Sequence, residues 1–128
     1  MMLLLDTHTL LWMVDGSPQL SARAGREISD ARNVKHVSKA SLWEIAIKVS
    51  TGKLTLLKPL AELIAELRRT GAIQFLDLAD AHLVKVSQLP FHHRDPFDRL
   101  LVAQALTEGM TVLGDDATFD TYGVTRIW

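Results

Sequence analysis

The chain has 128 residues, and its hydrophobic content of 48% is enough to bury one core, so we expect residues 1–128 to form a single domain. It contains no cysteine, which excludes disulfides and thiolate metal sites and leaves oxygen and imidazole as the possible metal ligands. The formal net charge of -1 lacks the basic excess common in nucleic-acid-binding proteins, but divalent ions held by acidic residues would reverse the field locally, so nucleic acid is not excluded.

Residues 1–14 form an apolar run that resembles a secretory signal. The run has no basic leading segment, however, and Asp6 and His8 interrupt it. A buried strand that leads into a helix explains it better. No stretch of the chain reaches the roughly 20 apolar residues that a membrane span requires. We therefore expect a cytoplasmic protein with no membrane partner.

Short apolar runs alternate along the chain with segments of helical periodicity. The runs predict strands at residues 3–5, 34–37, 73–76, 111–113 and 125–128. The periodic segments predict helices at residues 7–14, 21–31, 39–50, 60–69, 80–89 and 95–108. This alternation predicts an α/β fold, a three-layer α/β/α sandwich around a mostly parallel sheet of about five strands. In such sheets ligands bind beyond the carboxyl ends of the strands, so residues that follow strands are candidate site residues.

Acidic residues directly follow two of the predicted strands. Asp6 comes after residues 3–5, and Asp115 and Asp116 come after residues 111–113 with one glycine between. Because parallel strands end at the same edge of a sheet, we expect these acids to lie near each other. Taken alone, each Asp is more simply explained as a helix N-cap, a position at which Asp is common.

Glu44 is another candidate acid, in the predicted helix 39–50. One interpretation directs its side chain to the sheet edge, while Trp43 and residues 45–47 pack in the core. The other is a capping box, in which Glu44 reaches back to a backbone N–H at the helix start, with Ser41 three residues before it as the N-cap. The sequence alone leaves both interpretations open.

The segment RDPFDR at residues 94–99 contains two acids with different predicted roles. Asp95 precedes Pro96, a pair typical of an N-cap followed by the first helical residue, so we expect Asp95 to be structural. Asp98 then falls in the first helical turn, where the helix dipole favours a carboxylate and the side chain is free to face a pocket.

We expect four of these acids, Asp6, Glu44, Asp98 and Asp116, to converge on one small volume. Carboxylates so close together repel one another and would partly protonate unless a cation neutralised them. A site made only of oxygen ligands selects a hard cation such as Mg2+ or Mn2+ rather than zinc. Such an ion can activate water and stabilise both the attacking and the leaving oxygens of a phosphodiester. The cluster therefore predicts a metal-dependent nuclease that leaves 5′-phosphate and 3′-hydroxyl ends.

Four segments along the chain resemble the motifs of one known family. They are LLDTH at residues 4–8, SLWEIAIK at 41–48, RDPFDRLLVAQA at 94–105 and GDDATF at 114–119, the last followed by Tyr122. Each motif alone is weak, but together they span essentially the whole chain in the expected order. The sequence resembles the PIN domain of VapC-type toxins.

The resemblance implies a PIN-like fold and an Mg2+- or Mn2+-dependent endoribonuclease, the toxin of a prokaryotic toxin–antitoxin pair that acts on RNA such as transfer or ribosomal RNA. It also implies a homodimer and a cognate antitoxin that blocks the active-site groove. By position, Asp6, Glu44 and Asp98 match the first three acids of the family. Asp116 matches the fourth, whereas Asp115 departs from the pattern. Asp115 could support the metal ligands through a hydrogen bond or, more simply, be an exposed bystander.

Polar residues near the acids are candidates for substrate contacts. Thr7 could orient Asp6 or a metal-bound water molecule, although a Thr at a helix start more commonly bonds to its own backbone. Lys48 lies one turn beyond Glu44, so it could reach a phosphate or pair with that carboxylate. His93 and Arg94 form a basic segment suited to phosphate or to a solvated loop. We do not expect His93 to be a metal ligand, because no second His stands at the spacing of an imidazole site.

Two other classes of protein remain as alternatives. A phosphorylation-receiver switch has a similar length and an acidic Mg2+ pocket, but it needs a Lys after a later strand, and residues 111–116 contain none. A catalytically silent interaction module predicts that the acids are only helix caps. In that case alanine at Asp6 would leave every activity intact.

Overall fold

The structure is a computed structural model that describes residues 1–128. In chain order its elements are β1 (Met2–Leu5), α1 (Thr7–Asp15), α2 (Ala22–Ser29), β2 (Val34–Ser38), α3 (Lys39–Ser50), α4 (Leu60–Thr70), β3 (Ile73–Leu76), α5 (Asp80–Gln88), α6 (Pro96–Glu108), β4 (Thr111–Leu113), a 3-10 helix (Ala117–Tyr122) and β5 (Arg126–Ile127). None of the helices combines the length and the apolar character needed to cross a membrane. The predicted strands and helices are confirmed, with ends that differ by at most about two residues, and the 3-10 helix is the element that the sequence did not predict.

The five strands form one parallel sheet in the order β3-β2-β1-β4-β5. Strand β1 is central, with Leu5 opposite Val37 of β2 on one side and opposite Leu113 of β4 on the other. Because β2 and β3 extend from β1 in one direction and β4 and β5 in the other, the order reverses between β1 and β4. Open α/β sheets bind ligands at the carboxyl end of such a reversal.

The central strand is apolar throughout because both faces of the sheet are covered. Leu3 and Leu5 belong to a core cluster with residues of α1, α2, α3 and α4. Leu4 points to the opposite face and packs in a second cluster with Leu101 of α6 and Phe119 of the 3-10 helix. Side chains alternate along a strand, so a run of buried leucines must fill two cores. The predicted three-layer α/β/α sandwich is confirmed.

Helix α6 starts as its sequence predicts. Asp95 is the N-cap, and its Oδ1 accepts hydrogen bonds from the backbone N–H groups of Phe97 at 2.8 Å and Asp98 at 3.4 Å. Pro96 occupies the first helical turn, where its missing N–H costs nothing. Gly109 ends the helix with a φ of 66°, a left-handed conformation that favours glycine.

Two predictions about α3 are wrong. Trp43 and Ile47 do not pack in the core, because they lie one turn apart on the outward face of the helix and are 58% and 37% exposed. Ser41 does not start a capping box, because the N-cap is Ser38, three residues earlier. Glu44 is therefore free of any helix-capping contact and lies on the buried face.

Candidate active site

A small polar pocket lies at the carboxyl edge of the sheet, where the strand order reverses. Its volume is about 70 Å³, and no hydrophobic side chain lines it. The lining residues are Asp6, Thr7, His8, Glu44, Lys48, Asp95, Asp98 and Asp116. The structure thus brings together the four acids that the sequence places at strand ends and in helices.

Asp6 is held where β1 meets α1. Its backbone N–H donates to the carbonyl oxygen of Leu113 at 3.1 Å, which continues the β1–β4 ladder beyond the strand. Its Oδ1 accepts the backbone N–H of Thr9 at 2.8 Å, so Asp6 is the N-cap of α1. The hydroxyl of Thr9 donates to the same Leu113 carbonyl at 2.9 Å. Asp6 is therefore both a helix cap and a pocket residue, because capping occupies only one of its two oxygens.

The other oxygen of Asp6 packs against Gly114. A Cβ atom at residue 114 would lie 2.5 Å from Oδ2 of Asp6 and 2.9 Å from its Cγ. Any side chain there would displace the carboxylate. Gly114 is a site residue that the sequence analysis did not identify, although a glycine between a strand and two acids is a visible signal of close backbone approach.

Glu44 reaches the pocket from α3, where its side chain is buried with charged and hydroxyl partners. Thr7 donates a 2.6 Å hydrogen bond to Oε1, and the Thr7 hydroxyl lies 3.0 Å from that of Ser41. Lys48, one turn along α3, donates to Oε2 at 2.9 Å. These charge-assisted bonds fix the carboxylate and compensate for its burial. Of the two alternatives for Lys48, the structure has the pairing with Glu44, and Thr7 orients Glu44 rather than Asp6.

His93 joins the remaining two acids. Its Nε2 lies 3.1 Å from Oδ2 of Asp98 and 3.1 Å from Oδ2 of Asp116. Asp98 comes from the first turn of α6, and Asp116 is the N-cap of the 3-10 helix, where Oδ1 accepts the backbone N–H of Thr118 at 2.9 Å. One ligand atom from each of His93, Asp98 and Asp116 lies within 4.8 Å of the other two, close enough to hold one metal ion.

The carboxylates of the pocket differ in their affinity for protons. Burial, together with nearby carboxylates of which Asp95 acts most strongly, raises the pKa of Asp98 to about 7. Burial also raises the pKa of Asp6, against the opposing effect of its capping hydrogen bonds. At Asp116 burial acts in the same direction, but hydrogen bonds from Thr118 and His93 outweigh it and lower the pKa.

The pocket residues fit a divalent cation. The donors are carboxylate oxygens, which hard cations prefer. The pKa of Asp98 is raised first by burial and then by neighbouring carboxylates, and a bound cation would favour its ionised form. The one ammonium group in the lining, that of Lys48, is already paired with Glu44. Asp98 and Asp116 lie close enough together to hold one ion, and Asp6, which lines the same pocket with Glu44, would add a further carboxylate oxygen.

Three of the candidate residues do not line the pocket. His93 contacts Asp98 and Asp116 from outside the lining, and Arg94 and Asp115 are exposed. Asp95 lines the pocket in addition to capping α6, and His8 lines it as well. The sequence analysis did not place His8 in the site, and no spacing rule would have done so.

The fold and the pocket together define a class, a parallel α/β protein with a carboxylate site at the reversal of its strand order. Residues 3–124 match the family model of the PIN domain. The chain belongs to the PIN domain family, as its motifs predicted. A search of curated proteins found no match to the sequence.

Solved structures with the same fold include proteins of VapBC systems. VapBC2 of Rickettsia felis bound to promoter DNA matches with a TM-score of 0.73 and 16% identity over 99% of this chain and 98% of that one. DNA-bound VapBC of Salmonella typhimurium matches with a TM-score of 0.72 and 16% identity over 99% and 97%. VapC20 of Mycobacterium tuberculosis, described as a sarcin-ricin loop cleaving toxin, matches with a TM-score of 0.71 and 14% identity over 98% of each chain. These similarities establish the fold.

Proposed function

We propose that this protein, as one domain of residues 1–128, is a VapC-type toxin, an Mg2+- or Mn2+-dependent endoribonuclease. The observation that carries the proposal is the convergence of Asp6, Glu44, Asp98 and Asp116 on one polar pocket of a PIN fold. Helix capping alone explains neither the buried Glu44, which caps nothing, nor the position of Asp98 in the same pocket. The acids come from four separate segments of the chain, and a cation that they bind in common would account for their meeting.

Each acid has a role that follows from its surroundings. Asp6, Asp98 and Asp116 expose oxygens to the pocket and would hold the cation, while Glu44 is oriented by Thr7 and partly neutralised by Lys48. When bound, the ion would supply Lewis-acid activation of water and of the scissile phosphodiester, leaving 5′-phosphate and 3′-hydroxyl ends. A neutralised pocket allows a phosphate to approach, with Lys48 as the cationic side chain on its wall.

RNA is the substrate that the relatives suggest. VapC20 of Mycobacterium tuberculosis is described as cleaving the sarcin-ricin loop, and we extend RNA cleavage, though not that particular target, to this chain. The pocket is narrow and rimmed by polar residues, which suits a backbone phosphate better than a bulky apolar ligand. Because the proposed substrate is cytoplasmic RNA, we propose that the protein acts in the cytoplasm.

A cognate antitoxin is the proposed protein partner, since several solved relatives are VapBC assemblies. An apolar groove of about 290 Å³ between α1, α2 and α4 supports it, because such a groove can accept the apolar face of a partner's helix. This groove shares no lining residue with the acidic pocket, so a second segment of the partner would have to block the pocket. A homodimer is also proposed. It is supported by an apolar surface on α3, α5 and α6, in which Trp43, Leu83 and Pro96 are exposed and Val86, Phe97 and the buried Leu100 lie beside them.

The test compares RNA cleavage by the intact protein, Asp6→Asn and Asp115→Asn, each with Mg2+, with Mn2+ and with a chelator. Asp6→Asn keeps the size of the side chain and removes its charge, so we expect cleavage to fall by at least about 100-fold. Asp115→Asn makes the same substitution at an exposed acid that does not line the pocket, so this variant should cleave RNA like the intact protein. Cleavage that survives either Asp6→Asn or the chelator would rule out the metal-dependent mechanism.

The same experiment tests the alternatives. An interaction module predicts no metal-dependent cleavage by any form of the protein. A receiver switch has the strand order 2-1-3-4-5, whereas this sheet has the order β3-β2-β1-β4-β5, so the receiver interpretation is wrong at the level of the fold.

A further inference from the structure

His93 lies between two acids that come from different parts of the chain, Asp98 of α6 and Asp116 of the 3-10 helix. We propose that His93 is a positioning residue, a permanent Nε2–H donor that holds these two carboxylates together, and that it is not a ligand of the metal. The inference rests on the proposed function only in taking Asp98 and Asp116 as metal-holding acids.

The hydrogen bonds of the ring determine which nitrogen carries the proton. The backbone N–H of Asp95 donates to Nδ1 of His93 at 3.1 Å, so Nδ1 is the acceptor. A neutral imidazole whose Nδ1 accepts must carry its single proton on Nε2. A protonated Nε2 has no lone pair with which to bind a metal ion. The atom nearest the two carboxylates is therefore a hydrogen-bond donor, even though its distance from them would suit a ligand.

The backbone around His93 is anchored by a second set of contacts. Its own N–H donates to the hydroxyl of Tyr122 at 2.8 Å, and that hydroxyl also accepts from Nη1 of Arg99 at 3.2 Å. Arg99 is buried and donates from Nη1 to the carbonyl oxygen of Pro90 at 2.7 Å. The loop before α6 is thus attached at Pro90 and at His93, and the bond from Asp95 to Nδ1 leaves the imidazole little freedom to turn and expose a lone pair.

The geometry also explains why such a donor is needed. Asp98 and Asp116 carry side chains that repel when both are ionised, and each faces the space between α6 and the 3-10 helix. The Nε2–H of His93 is hydrogen-bonded to Oδ2 of Asp116 and lies 3.1 Å from Oδ2 of Asp98, so it offsets this repulsion and sets the separation of the two carboxylates before an ion arrives. Residues that orient metal ligands in this way typically contribute about 10- to 100-fold to metal affinity.

The first experiment reads the tautomer of His93 directly by 15N NMR of the histidine ring in the metal-free protein, and again with Mg2+ added. The His93 resonances are assigned from their absence in His93→Gln. We expect a protonated Nε2 and an unprotonated Nδ1 in both conditions. A proton on Nδ1 in the metal-free protein, or loss of the Nε2 proton when Mg2+ binds, would overturn the inference.

The second experiment measures Mn2+ affinity by calorimetry. His93→Leu removes the donor and should weaken Mn2+ binding by about 10-fold or more. His93→Gln places an amide N–H near the position of Nε2 and should bind Mn2+ within about threefold of the unmodified protein, as expected for a donor. His92→Leu is the matched control, since this neighbouring exposed His packs edge-on against the ring of Tyr122 but contacts no carboxylate, and an apolar side chain can keep that packing, so it should bind normally. Circular dichroism verifies that each variant is folded.

The outcomes separate this inference from the proposed function. If His93→Gln loses Mn2+ affinity as severely as His93→Leu, the donor role is wrong, whatever the protein cleaves. If the tautomer and the affinities follow the expectation but no RNA is cut, the positioning role stands and the nuclease proposal fails.

Discussion

At the scale of single residues, the pocket shifts the pKa values of two aspartates in opposite directions. Asp98 lies among other carboxylates in a buried space, which raises its pKa to about 7, whereas hydrogen bonds lower the pKa of Asp116 against the effect of burial. A carboxyl whose pKa is raised by folding favours the folded state while it is protonated. In the metal-free protein this contribution is complete below a pH of about 4 and is lost as the pH rises towards 7.

Asp98→Asn should therefore stabilise the metal-free protein at pH 8 by roughly 1–3 kcal/mol, because it removes a charge that is costly to bury. At pH 4 the gain should vanish, since Asp98 is then protonated. The measurement is urea unfolding at both pH values with a chelator present. Asp115→Asn, on an exposed acid, serves as the control. Equal stability of Asp98→Asn and the unmodified protein at pH 8 would contradict the raised pKa.

The close packing of Gly114 against Asp6 leads to a prediction about steric fit rather than about charge. Gly114→Ala puts a Cβ atom 2.5 Å from Oδ2 of Asp6, so the carboxylate must turn away. We expect Mn2+ affinity to fall by about 10-fold and the free energy of unfolding by roughly 1–3 kcal/mol. Gly25→Ala in α2 is the control, because nothing lies within 4 Å of the added atom. That change should raise stability by about 0.4–1 kcal/mol. Normal Mn2+ binding by Gly114→Ala would show that Asp6 does not depend on this glycine.

At the scale of elements, the site depends on how α5, α6 and the loop between them are joined. Arg99 of α6 donates from Nη2 to the carbonyl oxygens of Val86 and Leu89, both at 3.3 Å, and from Nη1 to that of Pro90. These carbonyls belong to the end of α5 and the residues after it, where a helix leaves acceptors short of donors, although that of Val86 also accepts the N–H of Leu89. One buried guanidinium thus ends α5, holds the loop and supports the His93 region.

Arg99→Met should release this loop, because three carbonyl groups lose a charged donor. We expect a loss of roughly 2–4 kcal/mol in the free energy of unfolding and faster amide hydrogen exchange at residues 86–95. Arg23→Met, on an exposed position of α2, should change neither property appreciably. Unchanged exchange at residues 86–95 in Arg99→Met would mean that the loop is held by other contacts.

At the scale of the whole molecule, the apolar surface on α3, α5 and α6 exposes several large hydrophobic side chains next to one another. Trp43 is 58% exposed and packs edge-on against Phe97 with ring centroids 5.2 Å apart, and Leu83 beside them is 51% exposed. Contiguous apolar surface of this kind marks protein interfaces. It also lies on α3 and α6, the helices that supply Glu44 and Asp98, so an interface there would adjoin the proposed site.

If this face forms the proposed homodimer, Trp43→Ser combined with Leu83→Ser should convert the dimer to a monomer in sedimentation velocity. The reason is that large buried aromatic and leucine side chains dominate the energy of most interfaces. Leu57→Ser, at a residue that is 81% exposed elsewhere on the surface, should leave the dimer intact. A chain that sediments as a monomer before any substitution would exclude the dimer itself.

Local sequence determined most of the elements and the nature of the site. Apolar runs and helical periodicity set the strands and helices, the Asp95–Pro96 pair determined where α6 begins, and acids after strands indicated the edge where they would meet. These features follow from rules that act over a few residues, so a sequence exposes them directly. The short 3-10 helix was not predicted from the sequence because its six residues show no apolar repeat.

Only the tertiary structure decided which side chains face one another. The outward direction of Trp43, the contact between Gly114 and Asp6, and the placing of His93 between Asp98 and Asp116 depend on how distant segments pack. A helix has several faces that periodicity alone leaves equivalent, and hydrogen bonds across more than twenty residues leave no trace in local spacing. The acids could therefore be named from the sequence, whereas what orients them could not.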